Sequence, residues 1–135
     1  MAMMSVKPFV LKIIIIEDTL IPFFGDGSMR RDHTYIGDIV DCVIKALART
    51  DSKENRFDIF NLGNSRTISL SELVAMIEMV VGKNAVLTRF PQPPGDVDRT
   101  YADITHAQTV LGFVPSTSLE EGIEKEYEWL KEGFF

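Results

Sequence analysis

Apolar and polar positions recur along the chain in two periods, and together they predict a small mixed α/β domain of four to five helices and three to four short strands. The run from Met1 to about Glu17, ending in Ile13-Ile14-Ile15-Ile16, predicts a helix with Pro8 in its first turn, apolar on nearly every side and therefore covered on several. Lys7, Pro8 and Lys12 interrupt it, it is too short to span a bilayer, and it shows no small-residue cleavage site of a signal peptide. Leu20 to Phe24 reads as a strand. Ile36, Ile39, Val40, Val43, Ile44 and Leu47 then follow the spacing of a strongly amphipathic helix, with Asp38 and Asp41 in its first turns, where negative charge suits the helix dipole.

Thr50 to Asn55 is a polar loop, and Phe57, Ile59 and Phe60 predict a buried strand over Arg56 to Leu62, closed by the turn Gly63-Asn64. Ser69 and Glu72 form a capping-box pattern ahead of Leu70, Leu73, Val74, Ile77, Val80 and Val81, and Gly82 stops that helix. Ala85 to Phe90 is the next strand. The prolines of Pro91-Gln92-Pro93-Pro94-Gly95-Asp96 make a stiff, extended loop. Asp103 is placed to cap a helix ending at Leu111 with Gly112 as its stop, and Ser118 with Glu121 to cap a last helix through Leu130, whose acids form a solvated face.

Composition narrows the function classes. A chain of 135 residues fits one domain, 1–135, with no internal repeat or linker, and buries roughly two-thirds of its unfolded surface. A formal charge of −6 with scattered lysines and arginines argues against nucleic-acid binding. Cys42 is alone, so it forms no internal disulfide; beside an apolar stripe it reads as packing, and this usage fits a reducing cytoplasm. His33, His106 and Cys42 share no metal-ligand spacing, and no motif joins Ser, His and Asp for nucleophilic catalysis.

The densest chemistry lies in Phe24-Gly25-Asp26-Gly27-Ser28-Met29-Arg30-Arg31-Asp32-His33-Thr34-Tyr35-Ile36. Gly25 and Gly27 permit a tight turn or a close approach to a ligand. Arg31 offers a planar fork of donors for phosphate or carboxylate, and Phe24, His33 and Tyr35 offer flat surfaces or hydrogen bonds to a base or sugar. The other reading is a solvated turn whose arginines pair with Asp26 or Asp32.

The order of these residues resembles the nucleotide-sugar-binding segment of the extended short-chain dehydrogenase/reductases, the NAD-dependent epimerase/dehydratase family. Phe60-Asn61-Leu62-Gly63-Asn64, Ser69-Leu70-Ser71-Glu72-Leu73, Pro94-Gly95-Asp96-Val97 with Thr100-Tyr101-Ala102-Asp103, and Leu111-Gly112-Phe113-Val114-Pro115 follow in the family's order, so the resemblance covers nearly the whole chain. It resembles the UDP-glucuronate and UDP-glucose 4-epimerases. By that resemblance Arg31 holds the diphosphate of a nucleotide sugar, Phe24 and His33 line the uridine, and Asp96 accepts hydrogen bonds from the ribose hydroxyls. Relatives carry a second phosphate-binding arginine where Pro93 stands here; Arg89, Gln92 or Arg99 is the available substitute.

The family's N-terminal Rossmann half, with its glycine fingerprint for NAD and its Tyr-x-x-x-Lys pair, has no counterpart among these motifs. Only Tyr127 and Lys131 have the spacing, and in a closing helix they read as a surface pair. The resemblance therefore implies the substrate-binding C-terminal portion of an epimerase, without catalytic, NAD-binding or metal-ligating residues of its own and inactive alone. Two other readings stand beside it: a binding module with weak affinity for a UDP-sugar, and an interaction domain that turns the face once covered by the Rossmann half towards a partner. An exposed apolar face of that kind implies a Rossmann-half partner chain or homo-oligomerisation.

Overall fold

The computed structural model describes residues 15–50 and 57–134. The helix predicted over Met1 to Glu17 lies outside the described residues except at its end, where Ile15 and Ile16 are helical. The chain then runs through β1 (Ile21–Phe24), β2 (Arg30–Asp32), α1 (Ile36–Thr50), β3 (Thr67–Ser69), α2 (Leu70–Val81), β4 (Leu87–Phe90), α3 (Thr105–Leu111) and α4 (Leu119–Phe134). This is the small mixed α/β architecture that the residue pattern predicts.

Among the described residues four short strands form two pairs. β1 and β4 are parallel, with Ile21 opposite Leu87 and Phe24 opposite Phe90. β2 and β3 are antiparallel, with Arg31 opposite Ile68. The Ser69 capping box at the start of α2 is complete, and Gly82 and Gly112 close α2 and α3 in the left-handed region. At the start of α3 the expected cap differs: Ile104 is the N-cap residue, and Asp103 instead accepts from the Thr105 N–H at 3.0 Å. At the start of α4, Ser118 Oγ accepts from the Glu121 N–H at 3.1 Å, as the pattern predicts.

Two small cores hold these elements. Ile15, Ile21, Leu73, Ile77 and Ile123 join the first strand pair to α2 and α4. Cys42, Ile104, Ala107 and Phe113 join α1 to α3, with Phe60 and Leu62 against them. Cys42 is fully buried, and desolvation pushes its thiol above the ordinary range, as expected of a packing cysteine.

Two elements depart from the pattern. The apolar stripe of α1 is not its buried face: Ile36, Val40, Val43, Ile44 and Leu47 are all exposed, while Asp38 and Cys42 point inward. Asp38 is more than a dipole partner, since its carboxylate accepts from Ser116 Oγ, the Thr117 N–H and Thr117 Oγ1 at 3.1–3.3 Å and ties α1 to the loop before α4. The strand expected over Arg56 to Leu62 does not form over the described residues 57–62, because no neighbouring strand offers it backbone partners. The pair β2–β3 was invisible to periodicity, since three-residue strands reading Arg-Arg-Asp and Thr-Ile-Ser carry too little alternation to register.

The Gly25 to Ser28 turn is structural. Asp26 Oδ1 accepts from both the Ser28 N–H and Ser28 Oγ, while Gly27 O and Met29 O accept from the Ser71 and Leu70 N–H groups at the start of α2. Gly27 adopts φ +87°, and a Cβ there would fall onto Ser71 Oγ and the Phe23 ring. Gly95 has a similar φ of +83° in open space. Gly95→Ala is therefore expected to cost about 1 kcal/mol from backbone strain alone, and Gly27→Ala about 2–4 kcal/mol because overpacking adds to it. Urea midpoints of the two variants check the difference.

Candidate nucleotide-sugar subsite

The site is assembled around β2. Its Arg30 N–H donates to Asp98 O at 2.8 Å and its Arg30 O accepts from the Thr100 N–H at 3.1 Å, so residues 98–100 run along the edge that β3 leaves open. Successive side chains of a strand point to opposite faces. Arg30 accordingly reaches Thr67 and Glu72 on one face, and Arg31 is free to take the other.

Asp32, the next residue, fixes the surroundings. Its carboxylate accepts from the backbone N–H groups of Asn64 at 2.9 Å, Ser65 at 3.1 Å and Ala102 at 3.2 Å. One side chain thus ties β2 to the turn before β3, where Ser65 sits at φ +52°, and to the segment leading into α3. Sequence reasoning treated Asp32 only as a partner for an arginine. Its position beside Arg31 was the available signal, but the three amides come from residues 32 to 70 positions away.

Arg31 and Asp96 meet directly. Arg31 Nη2 donates to Asp96 Oδ1 at 2.8 Å, and Arg31 Nη1 donates to Arg30 O at 2.9 Å. Asp96 is presented by a tight turn in which its N–H reaches Pro93 O at 3.2 Å, with Pro94 and the positive-φ Gly95 at the centre, the residues a type II turn favours. Both partners are partly buried, and such a pair contributes only about 0.2–1 kcal/mol to stability. Its consequence is orientation: among the described residues Arg31 Nε and Asp96 Oδ2 make no hydrogen bond, which leaves one donor and one acceptor edge for a ligand.

Phe24 stands close to this pair through shared neighbours. Its ring lies 5.4 Å from that of Phe90, and a Cβ added at the adjoining Gly25 would meet Gln92, whose Nε2 donates weakly to Asp96 O at 3.4 Å. Gln92 also reaches Asp98 Oδ1 at 3.3 Å. Arg99 follows on the same segment with its guanidinium 5.1 Å from the Tyr101 ring centroid. Of the other candidate substitutes for the missing arginine, Arg89 lies over the Phe23 ring at 4.8 Å.

His33 sits elsewhere. It lines a mainly apolar cavity of about 580 Å³ with Tyr35, Ile123 and Trp129, and a polar one of about 360 Å³ with Arg30, Arg66 and Glu72; neither is lined by Arg31 or Asp96. Burial lowers the His33 pKa below its ordinary 6.5, the Asp32 charge opposing this and Arg31 adding to it. Tyr127 and Lys131 form a surface pair, the ammonium 4.8 Å from the ring centroid and also bonded to Glu128.

A family model described as GDP-mannose 4,6 dehydratase matches residues 3–126 of the chain. The chain belongs to the NAD-dependent epimerase/dehydratase family of extended short-chain dehydrogenase/reductases. Within that family, the UDP-glucuronate 4-epimerase of Thermodesulfobacterium geofontis is 36% identical over 119 residues, 87% of this chain but 35% of the relative. The Bacillus cereus UDP-glucuronic acid 4-epimerase, solved with UDP-glucuronic acid and NAD, superimposes with a TM-score of 0.81 at 34% identity and covers 93% of this chain and 40% of that one. MoeE5, solved with UDP-glucose and NAD, gives 0.84 at 28% identity over 98% and 44%. This epimerase/dehydratase member thus spans less than half the length of the relatives it matches.

Those solved relatives hold NAD, and the Gly25–Ser28 turn of this chain does not fit its pyrophosphate. A dinucleotide's pyrophosphate needs open backbone N–H groups at a glycine-rich strand-to-helix turn. Here the Gly25–Ser28 turn is closed on itself, and the first amides of α2 are taken by Gly27 O, Met29 O and Ser69 Oγ. Among the described residues no group of three or more His, Cys, Asp and Glu is placed to hold a metal, and no helix is long and apolar enough to cross a membrane.

Two outcomes follow for stability. Asp32→Ala leaves three partly buried amides short of an acceptor and is expected to cost about 1–3 kcal/mol in urea unfolding. His33, with a folded pKa below its unfolded value, binds more protons when unfolded. Stability is therefore lost as pH falls below about 6.5 towards the folded pKa, and the His33→Gln variant lacks that component of the slope. Denaturant midpoints between pH 7 and pH 5 measure it.

Proposed function

We propose that the chain is the substrate-binding portion of a nucleotide-sugar 4-epimerase, taking a UDP-sugar and inactive without a nucleotide-binding half. The contact between Arg31 Nη2 and Asp96 Oδ1 at 2.8 Å carries this reading, because it joins a phosphate-type donor and a ribose-type acceptor in one place. In it, Arg31 binds the diphosphate, Asp96 the ribose hydroxyls, and Phe24 stacks near the uracil, with Arg99 supplementing the phosphate charge that Pro93 no longer provides. His33 contributes from the neighbouring cavity, through the loop that follows Asp32. The protein works in the cytoplasm, where nucleotide sugars are made and used.

A second reading, an interaction domain without ligand, is favoured by the exposed stripe of α1. Calorimetric titration of the purified chain with UDP and with UDP-glucuronate separates the two. Saturable binding weakened about tenfold or more by Arg31→Ala supports the subsite, since a charge-assisted bond to phosphate is worth about 1.5–3 kcal/mol. No saturable binding favours the interaction domain. The chain alone, supplied with NAD and UDP-glucuronate, is expected to show no epimerisation; turnover without added protein overturns the proposal.

A further inference from the structure

On the face of β2 that Arg31 leaves to Arg30 lies the polar cleft of about 360 Å³, bounded by Arg30, His33, Arg66, Glu72 and the loop into α4. Its lining sets two guanidinium groups against one carboxylate, in a chain whose net charge is −6. That carboxylate is already committed: Glu72 Oε2 accepts from the Ser69 N–H at 2.8 Å and lies 3.3 Å from Arg30 Nη1. Arg66, just before β3, is exposed and among the described residues makes neither a hydrogen bond nor an ion pair. A second guanidinium in one cleft, without a carboxylate of its own, leaves positive charge that an anion from solution relieves. The chain's overall negative charge opposes this weakly, because salt at 0.1 M screens exposed charges beyond about 10 Å.

Donors also outnumber acceptors around the cleft. A guanidinium has five N–H groups, and Arg30 commits three: Nε to Thr67 Oγ1 at 3.0 Å, Nη2 to Thr67 O at 2.6 Å and Nη1 to Glu72. Those contacts hold its plane fixed with the other two N–H groups unspent. Ser118 Oγ accepts from the Glu121 N–H, which leaves its own O–H to donate, and the Leu119 N–H beside it has no acceptor among the described residues. The hydroxyls of Ser116 and Thr117 do not count, since both are spent on Asp38. His33, its pKa lowered by burial, is neutral near pH 7 and brings one ring N–H without a third positive charge.

We propose that this cleft is a second anion site, which takes a phosphate group, free or as the monoester of a small metabolite, between Arg30, Arg66 and Ser118. A phosphate suits it better than a carboxylate. The donors come from β2, from the residue before β3 and from the start of α4, and a tetrahedral group presents oxygens to all three directions, whereas a carboxylate presents two in one plane. Neither Arg31 nor Asp96 lines the cleft, so the site stands independently of the UDP-sugar reading.

The test titrates isotope-labelled protein with inorganic phosphate and with glucose 1-phosphate and follows the backbone amides, with sodium chloride at matched ionic strength as the blank. Saturable shifts are expected at Asn64 to Thr67 and Ser116 to Glu120, and none of that kind with chloride. Arg66→Ala removes an exposed side chain that holds nothing in the fold, and it weakens the binding roughly tenfold or more. Lys83→Ala removes the same unit of charge outside the cleft and leaves the affinity unchanged. Tighter binding of glucose 1-phosphate marks a monoester as the occupant, and equal or tighter binding of inorganic phosphate marks the free ion. Absence of saturation, the same shifts with chloride, an affinity indifferent to Arg66→Ala, or shifts confined to Gln92 to Arg99 overturns the proposal.

Discussion

The Asp32 carboxylate is the constraint on which the arrangement depends. A carboxylate that accepts several backbone N–H groups links chain segments without needing a sheet between them. Here it joins β2, the Asn64–Ser65 turn and the approach to α3 at Ala102. Those are the segments that would drift in a domain with two two-stranded pairs in place of one continuous sheet. With Asp32 in place, residues 98–100 lie along β2, and the Pro93–Asp96 turn brings its carboxylate to Arg31. The Arg31–Asp96 geometry thus depends on a residue outside that pair.

Polar side chains perform similar work elsewhere in the fold. Asp38 fastens the loop before α4, and the Asp26–Ser28 turn fastens the start of α2. These links tie loops that lie between the buried clusters seen among the described residues. The Arg31–Asp96 pair, partly buried, joins two side chains of opposite charge, so that it orients more than it stabilises.

Much of this was legible in the sequence where one local signal sufficed. The Ser69–Glu72 box, the Gly82 and Gly112 stops and the β1 and β4 strands follow from short windows, and the motif order led to Arg31 and Asp96, which the fold brings into contact. What was not legible depends on partners far along the chain. Asp32 and Asp38 look like ordinary turn and helix-start acids until distant amides and hydroxyls arrive. The α1 stripe and the Phe57–Leu62 alternation state truthfully that these faces are apolar, but a periodic pattern does not say what covers them. Within this chain nothing among the described residues does, so the helix formed with its stripe outward and the strand did not pair.

The central claim is that Arg31 and Asp96 form one pocket for a uridine diphosphate sugar. It is tested most directly by titrating UDP into isotope-labelled protein and following the Arg31 side-chain Nε–H together with the backbone amides. The account predicts saturable shifts at Arg31 Nε and over Gln92 to Arg99, with the amides lining the Tyr35–Trp129 cavity left in place. Shifts confined to that cavity, or none at Arg31 at saturating UDP, would contradict it.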